Sequence, residues 1–113
     1  MTPKQVAEAF SNGKFDVAFP FLADNIEWTV AGKDKYIGRE SVIENCIKTE
    51  EYFKTVTTDF KTFNIIEENQ CVVINGTAEF LKDNKRLAFI FACDVYEFNS
   101  ENKLEKITSY CIE

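Results

Sequence analysis

The sequence predicts an α+β fold, with helices first and a mainly antiparallel sheet after them. Apolar residues recur at helical spacing up to Phe10 and again from Val42 to Ile47. From Val56 onward, β-branched and aromatic residues dominate four runs that read as strands. The breaks between those runs are short and of turn composition, which implies hairpin neighbours. Helices followed by a meander form one layered unit, with the helices covering one face of the sheet. At 113 residues the chain fits a single domain, 1–113.

Thr2 is placed to cap the first helix, Pro3 suits its first position, and Gln5 completes a capping box. Val6, Ala9 and Phe10 form its apolar stripe, and Gly13 supplies the stop. A second helix is expected over Phe15 to Leu22, shortened or kinked by Pro20. Ile26 to Val30 alternates as a strand with Trp28 on its apolar face, and Ala31 to Ile37 reads as a polar loop. A long helix follows Gly38-Arg39-Glu40, with Val42, Ile43, Cys46 and Ile47 as its stripe. Ser41 to Glu44 offers it a capping box. The strands are expected at Val56–Glu67, Cys71–Lys82, Arg86–Phe98 and Lys103–Ile112.

Composition removes several functions. There is no histidine, which excludes Ser-His and Cys-His nucleophile pairs and every histidine-containing metal site. Cys46, Cys71, Cys93 and Cys111 are widely spaced without a CxxC pair, so no metal site is expected and all read as buried thiols. A net charge of −6 argues against nucleic acid and against anionic membrane surfaces as partners. No run approaches the roughly 20 apolar residues of a membrane span, and Met1 to Gln5 shows no secretory signal. A cytoplasmic location is therefore expected. Any proton chemistry must come from Asp, Glu, Tyr, Cys or Lys.

One carboxylate stands out. Strand alternation in Arg86–Phe98 places Asp94 in the row of Ile90, Ala92, Tyr96 and Phe98, on the face the helices cover. Asp is disfavoured in strands and costly to bury. The opposite row, Phe91, Cys93 and Val95, is apolar as well, so the outer sheet face is expected to pack on a second subunit.

The order of these segments is similar to the nuclear transport factor 2-like superfamily, in its SnoaL-like and ketosteroid isomerase-like branch. The residues that carry the resemblance are Asn25-Ile26-Glu27-Trp28, Gly38-Arg39-Glu40-Ser41-Val42-Ile43 opening the long helix, and Asp94-Val95-Tyr96-Glu97-Phe98 followed by Lys103-Leu104 and Tyr110. It spans Phe10 to Glu113 and implies a cone-shaped α+β barrel around a pocket, with homodimerisation through the convex face. Ketosteroid isomerases use a general-base Asp, a Tyr and a protonated Asp. The resemblance puts the base near Val30 and the Tyr near Val6, and only the oxyanion-hole Asp is matched, by Asp94.

What the resemblance implies is an apolar pocket for a small hydrophobic molecule, with Asp94 as acid or base and Trp28, Tyr96, Tyr110 and Tyr36 shaping the wall or mouth. Core packing alone also accounts for each of those aromatics. If catalytic, the protein is a cofactor-free isomerase, cyclase or dehydratase. The alternative is a non-catalytic ligand-binding or protein-interaction module. Glu79 reads as solvated, and Arg39 as paired with a neighbouring acid.

Overall fold

The computed structural model describes all 113 residues. Helix α1, Pro3–Ser11, begins as its sequence demands. The Gln5 amide donates to Thr2 Oγ1 at 3.2 Å, and the Thr2 amide donates to Gln5 Oε1 at 2.9 Å. Val6, Ala7 and Phe10 face the core. The second helix is shorter than expected. Helix α2 covers Phe15–Ala18, and Phe19–Phe21 tighten into a 3-10 turn. Pro20 has no amide to donate, so the tighter turn ends the segment there.

Strand β1 runs Leu22–Val30. The segment expected to be a loop contains a strand: β2, Asp34–Ile37, pairs antiparallel with β1, Tyr36 opposite Trp28. Four largely exposed edge residues carry no alternating signal of their own, and the pairing comes from β1. Helix α3, Arg39–Phe53, is not capped by Ser41. Its N-cap is Gly38, at φ +92°, a conformation that only glycine adopts without strain. Val42 and Cys46 are buried while Ile47 is exposed. Arg39 donates to the Phe19 carbonyl at 3.0 Å rather than to an acid, tying α3 to the 3-10 turn.

The meander follows the expected spans closely: β3 Thr57–Glu68, β4 Cys71–Lys82, β5 Lys85–Phe98 and β6 Leu104–Ile112. Asn69-Gln70 and Asp83-Asn84, all at positive φ, close the first two hairpins with the twist that suits strand pairs. The sheet has six strands in the order β2-β1-β6-β5-β4-β3, and only the β1–β6 pair is parallel. It does not close. With β2 and β3 at its edges, the barrel expectation becomes an open, curved sheet. Part of the curvature arises at a register shift between Thr62 and Asn64 of β3, opposite Gly76 and Asn75 of β4. The helices fill the concave side. No helix is long and apolar enough to cross a membrane.

Candidate functional site

Alternation along β5 puts Ala92, Asp94, Tyr96 and Phe98 on the concave face, where Tyr96 and Phe98 are buried. Asp94 sits between Ile74 of β4 and Ser109 of β6, its cross-strand partners. It lines a cavity of about 70 Å³, together with Ser11 and Asn12 at the end of α1, Phe60 and Thr62 of β3, and Gly76 of β4. That space is well below the roughly 150 Å³ of an apolar cavity that admits benzene. Polar and apolar side chains share its lining, Ser11, Asn12, Thr62 and Asp94 beside Phe60, Ile74 and Ala92.

The interior is small because aromatic side chains occupy it. Phe53, the last residue of α3, stacks on Phe80 at 5.6 Å and meets Phe60 edge-on at 5.6 Å. Phe10 of α1 meets Phe15, Trp28 and Tyr96 edge-on at 5.0, 5.1 and 6.0 Å. The sequence leaves open whether the concave side is empty or filled by its own phenylalanines, and these rings occupy much of it.

Burial pushes the Asp94 carboxyl above the usual carboxylate range, and Ser109 offsets part of that rise. The Trp28 indole N–H donates to Ser109 Oγ at 3.0 Å. A serine hydroxyl has one proton of its own, so Ser109 stays free to donate to the carboxylate across the strand pair. Trp28, Ser109 and Asp94 thus form one polar chain. Ser109→Ala is expected to raise the Asp94 carboxyl further. It would also remove the partner of the half-buried indole N–H, costing about 1 kcal/mol of stability in denaturant unfolding. An unchanged Asp94 titration in that variant would break the link.

Of the five side chains proposed from sequence, Asp94 alone lines the cavity. Tyr96 is 1% exposed and does not bond to Asp94; its hydroxyl pairs with Ser11 Oγ at 2.5 Å. Burial and the neighbouring Asp94 hold that phenol well above its ordinary range. Trp28 acts through Ser109. Tyr36 packs on the far side of Trp28, ring centroids 5.6 Å apart, rather than over the cavity. Tyr110 is on the other face. Between the Glu97–Lys106 and Phe98–Leu104 pairs, β6 carries one extra residue, Glu105. This bulge reverses the alternation counted from Leu104, sending Ile107 and Ser109 inward and Tyr110 outward, 51% exposed.

No family model matches the sequence, and no curated protein sequence matches it. Among solved structures, an NTF2-like protein of unknown function from Cytophaga hutchinsonii is 31% identical. It superposes with a TM-score of 0.85 over 96% of this chain and 94% of that one. The chain belongs to the NTF2-like family. An LEH-like epoxide hydrolase from M. tuberculosis shares the fold at 18% identity, with a TM-score of 0.74 over 97% of this chain and 82% of that one. So does a protein described as a SnoaL-like polyketide cyclase from Shewanella denitrificans, at 15% identity and a TM-score of 0.75 over 97% and 90%.

In this NTF2-like chain, Val6 is buried in the core and Val30 is half-buried at the end of β1, and neither side chain can move a proton. Glu79 is held by Arg86, whose Nε donates to it at 2.7 Å and which lies over the Phe89 ring. Cys46 is buried, its thiol pushed up to about 12 by burial and then by Glu50. No cluster of three or more metal-ligating side chains exists. The outer face of the NTF2-like sheet is apolar as expected: Phe91 of β5 lies across from Ile112 of β6, and Cys93 from Tyr110. Phe91 is 55% and Ile112 69% exposed.

Proposed function

We propose that this NTF2-like protein is a homodimer that takes a small oxygen-bearing organic molecule beside Asp94. Asp94 acts there, without a cofactor, as general acid in an isomerisation, cyclisation or dehydration. The observation that carries this reading is a half-buried carboxyl at the wall of a cavity, raised by partial loss of water and backed by Ser109 and Trp28. A carboxyl that holds its proton to higher pH is both a hydrogen-bond donor and a proton source. Phe60, Ile74 and Ala92 supply the apolar side of the site. Neighbours named as a polyketide cyclase and an epoxide hydrolase support a small organic substrate. Proton exchange at the carbon beside the carbonyl of acetone, followed by NMR in heavy water, tests it. The protein should accelerate exchange, and the gain should fade as pH rises through the Asp94 titration. Exchange no faster than in buffer contradicts catalysis.

A second reading, a binding module without turnover, is favoured by Val6 and Val30 at the positions where related isomerases keep their Tyr and base. It predicts saturable ligand binding with no exchange.

The dimer rests on the exposed apolar rows of β5 and β6. Phe91→Glu is expected to convert a particle of twice the chain mass into a folded monomer by light scattering. A wild-type monomer at working concentration would remove the dimer.

A further inference from the structure

The cavity beside Asp94 exists because small residues stand where large ones would fill it. Gly76 of β4 faces Ala92 of β5, Ala78 is the next inward residue of β4, and all three line the space. Phe60 of β3, opposite Ala78, is the one aromatic residue in the lining. The same ring meets Phe53 edge-on at 5.6 Å and Phe80 edge-on at 6.1 Å, and neither of those residues lines the cavity. Phe60 therefore stands between the Asp94 cavity and an apolar stack in which Phe53 lies nearly parallel to both Phe15 and Phe80. The wall is held in place. A Cβ added to Gly13, at φ +77°, would stand 3.1 Å from the Phe53 ring and 3.5 Å from the Phe60 ring. The turn after α1 thus closes directly on both.

We infer that Phe60 sets the size of the ligand at Asp94, so that the site takes short acyclic carbonyl compounds and rejects rings. This rests on the Asp94 cavity being the ligand site, as proposed above. The cavity of about 70 Å³ meets the Phe60 ring well before the roughly 150 Å³ that admits benzene. Shortening Phe60 joins the space to Phe53 and Phe80, an aromatic surface on which an aryl group packs while its carbonyl stays beside Asp94. Phe60 is half-buried on an edge strand and lies outside the buried core, so the core side chains are not altered by the change.

The experiment titrates acetone, and separately acetophenone, into labelled protein while backbone amide signals are followed. In the wild type, acetone should shift the amides of Thr62, Ala92 and Asp94 saturably, with acetophenone at least tenfold weaker at the same signals. Phe60→Ala should reverse that order, tightening acetophenone about tenfold or more by the burial of its ring. Phe60→Leu, which keeps an apolar side chain and protects the fold, should shift the preference the same way by a smaller factor. Wild-type binding of acetophenone as tight as that of acetone overturns the assignment. So does unchanged selectivity in both variants, each shown folded by its amide spectrum. Ethylbenzene has the shape of acetophenone without the oxygen and separates the two readings. If Phe60→Ala takes ethylbenzene and acetophenone equally well at these amides, the size limit by Phe60 stands and the polar role of Asp94 falls.

Discussion

Asp94→Asn is expected to make the protein more stable near neutral pH while abolishing proton transfer. The two effects have one cause. Burial raises the Asp94 carboxyl in the folded state, so between the unfolded and folded titrations the native protein binds more protons than the unfolded chain. Stability therefore falls as pH rises through that interval, and the deficit is complete above the folded titration. It amounts to about 1.4 kcal/mol for every pH unit separating the two. Asparagine keeps the shape and a donor but carries no charge at any pH. The wild-type minus variant difference, from urea unfolding at a series of pH values, should be near zero in acid. It should turn against the wild type as pH rises. Acetone affinity should change only a few-fold, since the amide can still donate, whereas exchange catalysis should vanish. A variant that is less stable than wild type at neutral pH would mean that Asp94 is a paired structural carboxylate.

Gly76→Ala is expected to cost about 3 kcal/mol or more and to lower the melting temperature by about 10 °C or more. A Cβ at Gly76 would stand 2.1 Å from the Lys61 carbonyl oxygen and 3.2 Å from the Thr62 Cα. Those neighbours are backbone, so no side-chain rotation relieves the clash. The only relief is to move β3 off β4 at the point where the strand register shifts. That shift helps curve the sheet, and Gly76 and Thr62 both line the Asp94 cavity. The same substitution should therefore weaken acetone binding in any fraction that stays folded. A melting temperature within 3 °C of wild type, read beside the clash above, would mean that the close approach is not present in solution.

The sequence was most informative where local chemistry decides the outcome. Thr2, Pro3 and Gln5 define the start of α1 by their own hydrogen bonds, and the meander strands could be bounded from their turn residues. Asp94 could be placed on the covered face because β5 pairs continuously with β4 from Ile90 to Glu97, so its alternation is unbroken around Asp94. Features that depend on a partner were hidden. Strand β2 exists through its pairing with β1, and four mainly polar residues reveal nothing alone. The bulge at Glu105 reversed the row of β6, which moved Tyr110 outward and brought Ser109 in. Tyr110 is put in the wall by the resemblance alone, whereas the spacing of the apolar pair Leu104 and Ile107 signals that the alternation breaks. Ser11 offered no signal, because an exposed-looking serine at a helix end becomes a cavity wall only through docking of α1 on the sheet. The absence of histidine was visible at once, and it directed attention to the carboxyl and hydroxyl groups that meet here.

Everything proposed for this site depends on the Asp94 carboxyl being partly withdrawn from water at a cavity wall and titrating above the usual carboxylate range. Carbon-13 NMR of the aspartate side-chain carboxyls, titrated in the wild-type protein and assigned with Asp94→Asn, measures that state directly. The expected result is one aspartate signal, missing from the variant, that titrates above the ordinary carboxylate range and moves further up in Ser109→Ala. An Asp94 signal that titrates in the ordinary carboxylate range would contradict it.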